Sequence, residues 1–442
     1  MNEPLKLSGV EKRLQERYEV MVQEQTGHAH RVAAGPRHLP REEVKAAVQA
    51  AWRFYSNPRT KTTILAQPLL RAAAVAVESV CDNYVLVMGD WSHLDYRSHT
   101  DKFDRIQIGQ QEEIGYELFS QLAVSDKNGL PLAPLCLRLQ AAAGVYSSEY
   151  DGARPPLSQL DEIGPVMDHV AGLGLAKRPV FIFDAEVDSV FHFRVWQGGH
   201  LFLIRGDEER VVLFEDQEVS VLQVVETLRQ RQAFCKVKEV DYKGEMLQQH
   251  VAEALVVLHR KAQLNREVAG KRQRIYVKGE PLPLRLVVAE LRRADGTVVA
   301  RWQLWTNLPA EIDAATVALW YYWRWKVESY FKLLKGSGQQ IEQWQQETGQ
   351  RILKRLLVAS MACVLVWQLA RSTAPQANAA RDLLIRLSGR QMEYGKAFTN
   401  EALLAGLWVL LAVLDTLERH LPDELLRFAD FILGGSGCLD SS

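Results

Sequence analysis

The 442-residue chain carries 53 Lys and Arg against 54 Asp and Glu, a formal charge of −1, with 47% hydrophobic and 24% charged residues. These globular proportions exclude a disordered, collagenous or uniformly polycationic chain, and the length points to two or three domains or one domain with a large insertion. Five scattered cysteines without a C-x-x-C pair argue against a disulfide framework and a zinc site, and fit a reducing compartment.

Local charge is less even than the total. Residues 1–75 hold twelve Lys or Arg against seven acids, and residues 260–278 hold seven against Glu267 alone. Two basic regions in a neutral protein suit a polyanion gripped at defined places. The first residues lack the apolar core of a signal peptide. The most apolar runs, 356–369 and 402–414, are shorter than the ~20 residues that span a bilayer. A soluble cytoplasmic protein with no membrane partner is expected.

Residues 1–75 read as a helical unit. Glu11–Gln25 lacks Pro and Gly, 34–40 is a Gly/Pro break, Arg41–Tyr55 starts with acids and ends with aromatics, and Asn57-Pro58 turns the chain into Thr63–Val80. Such a unit is a DNA-binding head or a packing cap. The period then changes. Tyr84–Met88 is an apolar run bounded by Asn83 and Gly89, read as a buried central strand that delivers Asp90 at its C-terminal end. Gly115–Ser125 alternates, turns at Asp126-Lys127-Asn128-Gly129 and resumes over Pro131–Leu139, which makes an antiparallel meander with the first strand. A polar loop over Tyr146–Pro156 and a helix over Ser158–Leu173 follow. Pro179–Phe183 is a second apolar strand ending on Asp184, with Asp188 at helical spacing beyond it. His200–Arg205 is a third, ending on Arg205.

From Gly206 to Ala310 the order breaks, as an inserted subdomain would break it. Val219–Leu264 reads as helical, and strands follow at 274–277, 284–291 and 298–305, with Ala294-Asp295-Gly296 as a hairpin turn. Leu319–Gly338 reads as one amphipathic helix. Offsets of 3, 7 and 14 put Tyr321, Arg324, Glu328 and Lys335 on one face; Leu319, Trp323, Val327, Tyr330 and Leu334 form the other, expected to lie against the sheet. Helices over Ile352–Arg371, Ala379–Leu387, Asn400–His420 and Glu424–Leu433 complete the chain and suit packing or self-association.

Two aspartates stand after buried strands, where open α/β sheets put their sites, and a lone Glu stands among groups suited to phosphate. Three carboxylates brought together repel unless a cation joins them, and Mg²⁺ is bound by carboxylate oxygens while keeping positions for water and phosphate. Asp90, Asp184 and Glu328 are the candidate ligands. Asp95 and Asp188 compete with them and read as cap or supporting residues.

The order Asp, Asp, Glu and the spacing Tyr-x2-Arg-x3-Glu-x6-Lys, met by Tyr321, Arg324, Glu328 and Lys335, resemble the cut-and-paste DDE transposases of the insertion-sequence-four group, in their transposon-five-like, YREK-bearing branch. Arg324–Glu328 followed by Lys335-Gly336-Ser337-Gly338 and the upstream Arg53-Phe54-Tyr55-Ser56-Asn57-Pro58 add to the likeness. The resemblance implies an α/β fold with a ribonuclease-H-like catalytic core over 76–371, a mainly β subdomain inserted at about 206–310, a helical DNA-end-binding region over 1–75 and a helical dimerisation region over 372–442. It implies that Asp90, Asp184 and Glu328 hold two Mg²⁺ ions, with Mn²⁺ able to substitute. Tyr321, Arg324 and Lys335 would grip phosphates, with Arg205 a further phosphate contact. Trp302 on Arg301–Thr306, with Trp305 as rival, would stack on a base flipped during hairpin formation.

The partners so implied are double-stranded DNA, both the terminal inverted repeats of an element and its target, and a second copy of the chain in a synaptic homodimer near a bacterial nucleoid. Two stretches depart from the family's pattern: Asp90 is followed by Trp91-Ser92-His93, and Asp184-Ala185-Glu186-Val187-Asp188 lacks the basic or glycine residues common there. The alternatives are a nuclease on the same fold without strand transfer and a DNA-binding protein that no longer cleaves.

Overall fold

Tyr84–Met88 offers water almost nothing polar, so its place is the middle of a sheet with both faces covered. In the computed structural model, which describes residues 5–27, 41–109, 112–268, 271–336, 338–392, 397–418 and 420–432, that is where it lies. Three helices precede it: α1 (Lys12–Gly27), α2 (Arg41–Ser56) and α3 (Thr62–Val80). The expected break at 34–40 lies outside the described residues. The chain then forms β1 (Tyr84–Asp95), β2 (Ile106–Gln107), β3 (Ile114–Ser125), β4 (Pro131–Ala141), β5 (Gly144–Ser147), β6 (Ala153–Arg154), α4 (Gln159–Gly172), β7 (Arg178–Phe183), α5 (Val190–Trp196) and β8 (Leu201–Arg205). Ser158 caps α4 by accepting from the Asp161 amide. The short strands β5 and β6 occupy part of the stretch expected to be loop.

The second stretch is mainly β: β9 (Val211–Phe214), β10 (Gln217–Ser220), α6 (Val221–Gln230), β11 (Cys235–Tyr242), β12 (Glu245–Leu258), β13 (Ala262–Val268), β14 (Lys271–Val277), β15 (Leu282–Arg292) and β16 (Val298–Thr306). The helical reading of 219–264 holds only for α6. Beyond it Lys243-Gly244, both at positive φ, turn the chain into a hairpin, and β12 pairs along its length with β15. Glu, Gln, Ala and Leu in 245–258 favour helix by propensity, but Leu247, Val251, Val256 and Leu258 are buried by neighbouring strands, and that packing outweighs a per-residue preference of well under 1 kcal/mol.

Fourteen of the strands join one sheet whose path runs β10-β9-β12-β15-β16-β8-β7-β1-β3-β4-β5-β6, with β11 on β12 and β2 on β3 beside it, while β13 and β14 form a two-stranded sheet of their own. Within it β1, β3 and β4 are antiparallel neighbours, while β7 runs parallel to β1 and β8 parallel to β7. The inserted strands join through β16, antiparallel to β8 from Leu304↔Arg205 to Thr306↔Leu203. The chain is thus a mixed α/β protein with a large mixed sheet.

Helices α7 (Ala314–Tyr322), α8 (Trp325–Leu334), α9 (Gly349–Arg371), α10 (Pro375–Ser388), α11 (Asn400–Leu417) and α12 (Pro422–Ile432) follow. By length and composition α3 and α9 could each cross a membrane, contrary to the shorter runs read from the sequence, but 83% of the apolar window of α9 is buried inside the protein. α9 is a core helix. Its two buried cations tie the N-terminal helices down: Lys354 Nζ donates to the carbonyls of Tyr55 (3.2 Å) and Asn57 (3.0 Å), and Arg355 Nε to Gln25 Oε1 (3.2 Å). One hydrophobic cluster runs from Leu5 to Leu404, and the boundary drawn at residue 75 falls inside α3, whose Ala76 and Val77 belong to that cluster. α12 buries none of its residues and exposes Leu426, Phe428, Phe431 and Ile432.

Candidate active site

Residues opposite one another in a parallel pair share a face of the sheet. The β1/β7 register ends at Met88↔Ile182, so two residues further on Asp90 and Asp184 stand level on one face. On the opposite face Gly89 leaves room for the Phe183 ring, since a Cβ there would come within 2.0 Å of it. β1 itself does not end before Asp90, as the apolar run suggested. It continues to Asp95 because β3 stays alongside, with Asp90 opposite Ser120; only the parallel ladder stops short. Backbone amides fix both carboxylates: Trp91 N donates to Asp90 Oδ1 at 2.9 Å and Ala185 N to Asp184 Oδ1 at 2.7 Å.

The third carboxylate arrives on α8. The helix expected over 319–338 is two helices joined by a tightened turn at Trp323-Arg324, where Arg324 N bonds to Tyr321 O (2.9 Å) and Val327 N to Arg324 O (3.1 Å), both i→i−3 contacts. Helix α8 packs on β1 and β3, as expected, and its apolar side also reaches α9: Tyr330 is fully buried, its hydroxyl 2.6 Å from Ser360 Oγ and its ring edge-on to Trp367. The polar side is turned inward. Arg324, with its side chain 5% exposed, sets Nη1 3.1 Å from Asp90 Oδ2 and Nη2 3.0 Å from Asp184 Oδ2 and 2.7 Å from Glu328 Oε1. Its Nε is buried without a partner.

The three carboxylates therefore converge on one guanidinium. Burial pushes the Asp90 carboxyl above the usual range, against the pull of Arg324 and with the help of Glu328 and Asp184. Burial disfavours the charge on Arg324, yet Asp184, Tyr321, Asp90 and Glu328 around it hold its pKa above the ordinary value. Tyr321 donates its hydroxyl to Asp184 Oδ1 at 3.2 Å, and burial followed by the Asp184 charge raises its pKa. Arg205 Nη1 lies 3.6 Å from Asp184 Oδ1.

The donor set, three carboxylates from β1, the end of β7 and α8, is of the kind a hard divalent ion takes. Its present spacing is that of a guanidinium complex: among the described residues no group of three or more His, Cys, Asp or Glu is placed to hold an ion. One acid escaped the sequence reading. Glu186, on the single 3₁₀ turn after β7, has its carboxyl pushed up to about 7, by burial first and then by Asp90 and Asp184. Its signal was available, since an acid two residues beyond Asp184 in a tight turn projects toward the same end of the sheet. A cleft of about 810 Å³ opens beside it, lined among others by Asp188, Arg210, Arg260 and Lys261.

The remaining candidates lie further out. Lys335 Nζ donates to the carbonyl of His93 on β1 (2.6 Å) and faces Glu342 at 3.6 Å, without touching the three carboxylates. Trp302 is half-buried and packs edge-on to Tyr242 beside Val240, Leu247 and Leu291 on the inserted strands, while Trp305 is fully buried in the main core. Asp188 pairs with Arg210 (2.8 Å) and Asp95 with Arg97 (2.7 Å). In the N-terminal helices a second cleft, about 670 Å³, is lined by Arg13, Arg17, Arg53, Arg59 and Lys61. Arg59 pairs with Glu11 and Lys61 with Asp151.

No family model matches the chain, and no curated protein matches it. Among solved structures, the synaptic complex of the piggyBac transposase with hairpin DNA is similar over 84% of this chain, with a TM-score of 0.33 and 9% identity. This chain spans 63% of that one, less than two thirds of its length.

Proposed function

We propose that the protein is a DNA transposase that cuts and joins DNA by metal-dependent phosphoryl transfer. The observation that carries the reading is the meeting of Asp90, Asp184 and Glu328 at one guanidinium from three separate elements. The order β4-β3-β1-β7-β8, three antiparallel strands followed by two parallel ones, supports a ribonuclease-H-like core beneath them. Asp90, Asp184 and Glu328 would hold Mg²⁺, which lowers the pKa of an attacking water or 3′-hydroxyl and steadies the leaving oxygen. Tyr321 and Arg205 lie beside Asp184, with Lys335 further out at the end of α8, and all three suit the phosphates flanking a scissile bond. The basic cleft of α1 and α2 suits the backbone of the element's end, and the apolar side of α12 supplies surface for a homodimer. Trp302 is the residue proposed to stack on a flipped base in a hairpin step.

Glu328→Gln keeps the side-chain volume and the hydrogen bond to Arg324 while removing one ionised donor. Cleavage of DNA carrying the element's ends is expected to fall by at least about a thousandfold, with end binding kept within a few-fold. Cutting at the normal rate in Mg²⁺ would sink the assignment. Trp302→Ala is expected to slow hairpin formation more than the first nick, as read from single-turnover product gels; equal loss of both steps would count against base stacking.

A further inference from the structure

Arg324 stands where a divalent ion would have to stand. Its guanidinium draws on Asp90 Oδ2, Asp184 Oδ2 and Glu328 Oε1 at 2.7–3.1 Å, the oxygens an ion joining the three groups would use. The two exclude one another there, because the two positive charges would lie against each other in a poorly solvated site. The guanidinium has somewhere else to go. Its carbon lies 5.3 Å from the centre of the Trp325 ring, and that residue is 53% exposed, so a short swing along an aromatic face leads toward solvent. Its Nε is unpartnered, so leaving forfeits no bond there. A DNA phosphodiester at the mouth of the site offers the bidentate acceptor a guanidinium prefers.

We propose, resting on the transposase reading, that the three carboxylates form one cation site with two alternative occupants, Arg324 and a divalent metal, and that a DNA phosphate draws Arg324 out as the metal enters. Without DNA the protein carries its own counter-ion and holds metal weakly. With DNA the arginine changes partner and the carboxylates are released to the ion. Metal and DNA then bind with positive coupling, and the coupling is reciprocal.

Mn²⁺ serves as the probe, its free concentration read from the spin-resonance signal of the hydrated ion while it is titrated into the full chain, with and without a short blunt duplex of mixed sequence at low salt. Wild-type protein is expected to bind Mn²⁺ at least about fivefold more tightly with the duplex than without it. Arg324→Gln is expected to bind tightly in both conditions, with no response to DNA. The wild-type comparison needs no variant and stands even if Arg324→Gln folds poorly. Equal Mn²⁺ affinity with and without DNA in wild-type protein, at a site that Glu328→Gln weakens, would overturn the exchange while leaving the metal site intact. If Glu328→Gln leaves Mn²⁺ binding unchanged in the presence of DNA, the metal site itself falls, and the exchange with it.

Discussion

Replacing Arg324 by methionine would leave Asp90, Asp184 and Glu328 facing one another with no cation between them. The side chains of these acids are 15%, 29% and 29% exposed, so solvent screens them only in part. Breaking a buried ion pair by removing one partner costs about 3–5 kcal/mol, chiefly because the remaining charges stay buried and uncompensated. Unfolding entropy of about 2 cal/mol/K per residue over this chain converts that into a fall in Tm of about 3–5 °C if the chain unfolds as one unit. The measurement is a melt followed by circular dichroism in chelator at neutral pH. The deficit is expected to narrow toward pH 5, because Asp90, already raised by burial, loses the Arg324 charge that holds it down. It is also expected to narrow in millimolar Mg²⁺, which can replace the lost charge. A double variant with Glu328→Gln should lose less than the sum of the two single changes, since one acid fewer needs a partner. A melt within about 1 °C of wild type in chelator, a cost below about 1 kcal/mol, would refute the buried-charge account.

Two further outcomes follow from other parts of the molecule. Arg13, Arg17 and Arg53 line the N-terminal cleft, and reversing all three to Glu is expected to weaken DNA binding and to flatten the dependence of log affinity on log salt by about 2–3; an unchanged slope in filter-binding or anisotropy titrations would remove these residues from the contact. Lys354 is 3% exposed, and burial, followed by the nearby Arg351, pushes its pKa down to about 8 from 10.5. Below pH 8 both folded and unfolded chains hold the proton and the folded state bears the full cost; from there to about 10.5 only the unfolded chain holds it. Wild-type stability relative to Lys354→Met should therefore rise across that window by roughly 3 kcal/mol in urea titrations, and a difference that stays flat with pH would mean that the folded chain holds the proton as firmly as the unfolded one, against a lowered pKa for Lys354.

How far the fold can be read from residues depends on how local the cause is. Tyr84–Met88 announces a buried strand because nothing in it can face water, and Asp126–Gly129 announces a turn because its residues suit no strand; β3 and β4 follow within a few residues of expectation, and β1 starts where expected but runs on to Asp95. Helices α2 and α3 begin and end nearly where their acids, aromatics and proline place them. The hairpin of β11 and β12 was not legible as such, because its composition favours helix and only pairing with β15 decides otherwise. Nor was the tightened turn at Trp323-Arg324, which contains neither Gly nor Pro and draws its shape from what Arg324 holds across the fold. The three acids could be named from spacing and resemblance. That Arg324 would sit among them could not, because i, i+4 spacing puts Arg324 beside Glu328 but says nothing of two aspartates more than a hundred residues upstream.

The pairing of β16 with β8 gives the inserted strands a mechanical role. Leu304 lies opposite Arg205, and Gly206 N bonds to Gln303 O at 2.7 Å, so the backbone ladder continues from the insertion into the strand beside Asp184. A hinged module could swing; this one is welded on. Neighbouring strands are spaced about 4.8 Å apart, so the strand bearing Trp302 stands three steps, roughly 14 Å, from the strand bearing Asp90. The sheet thus acts as a ruler, and DNA gripped along the insertion would meet the carboxylates at a distance set by the backbone rather than by the sequence of any loop.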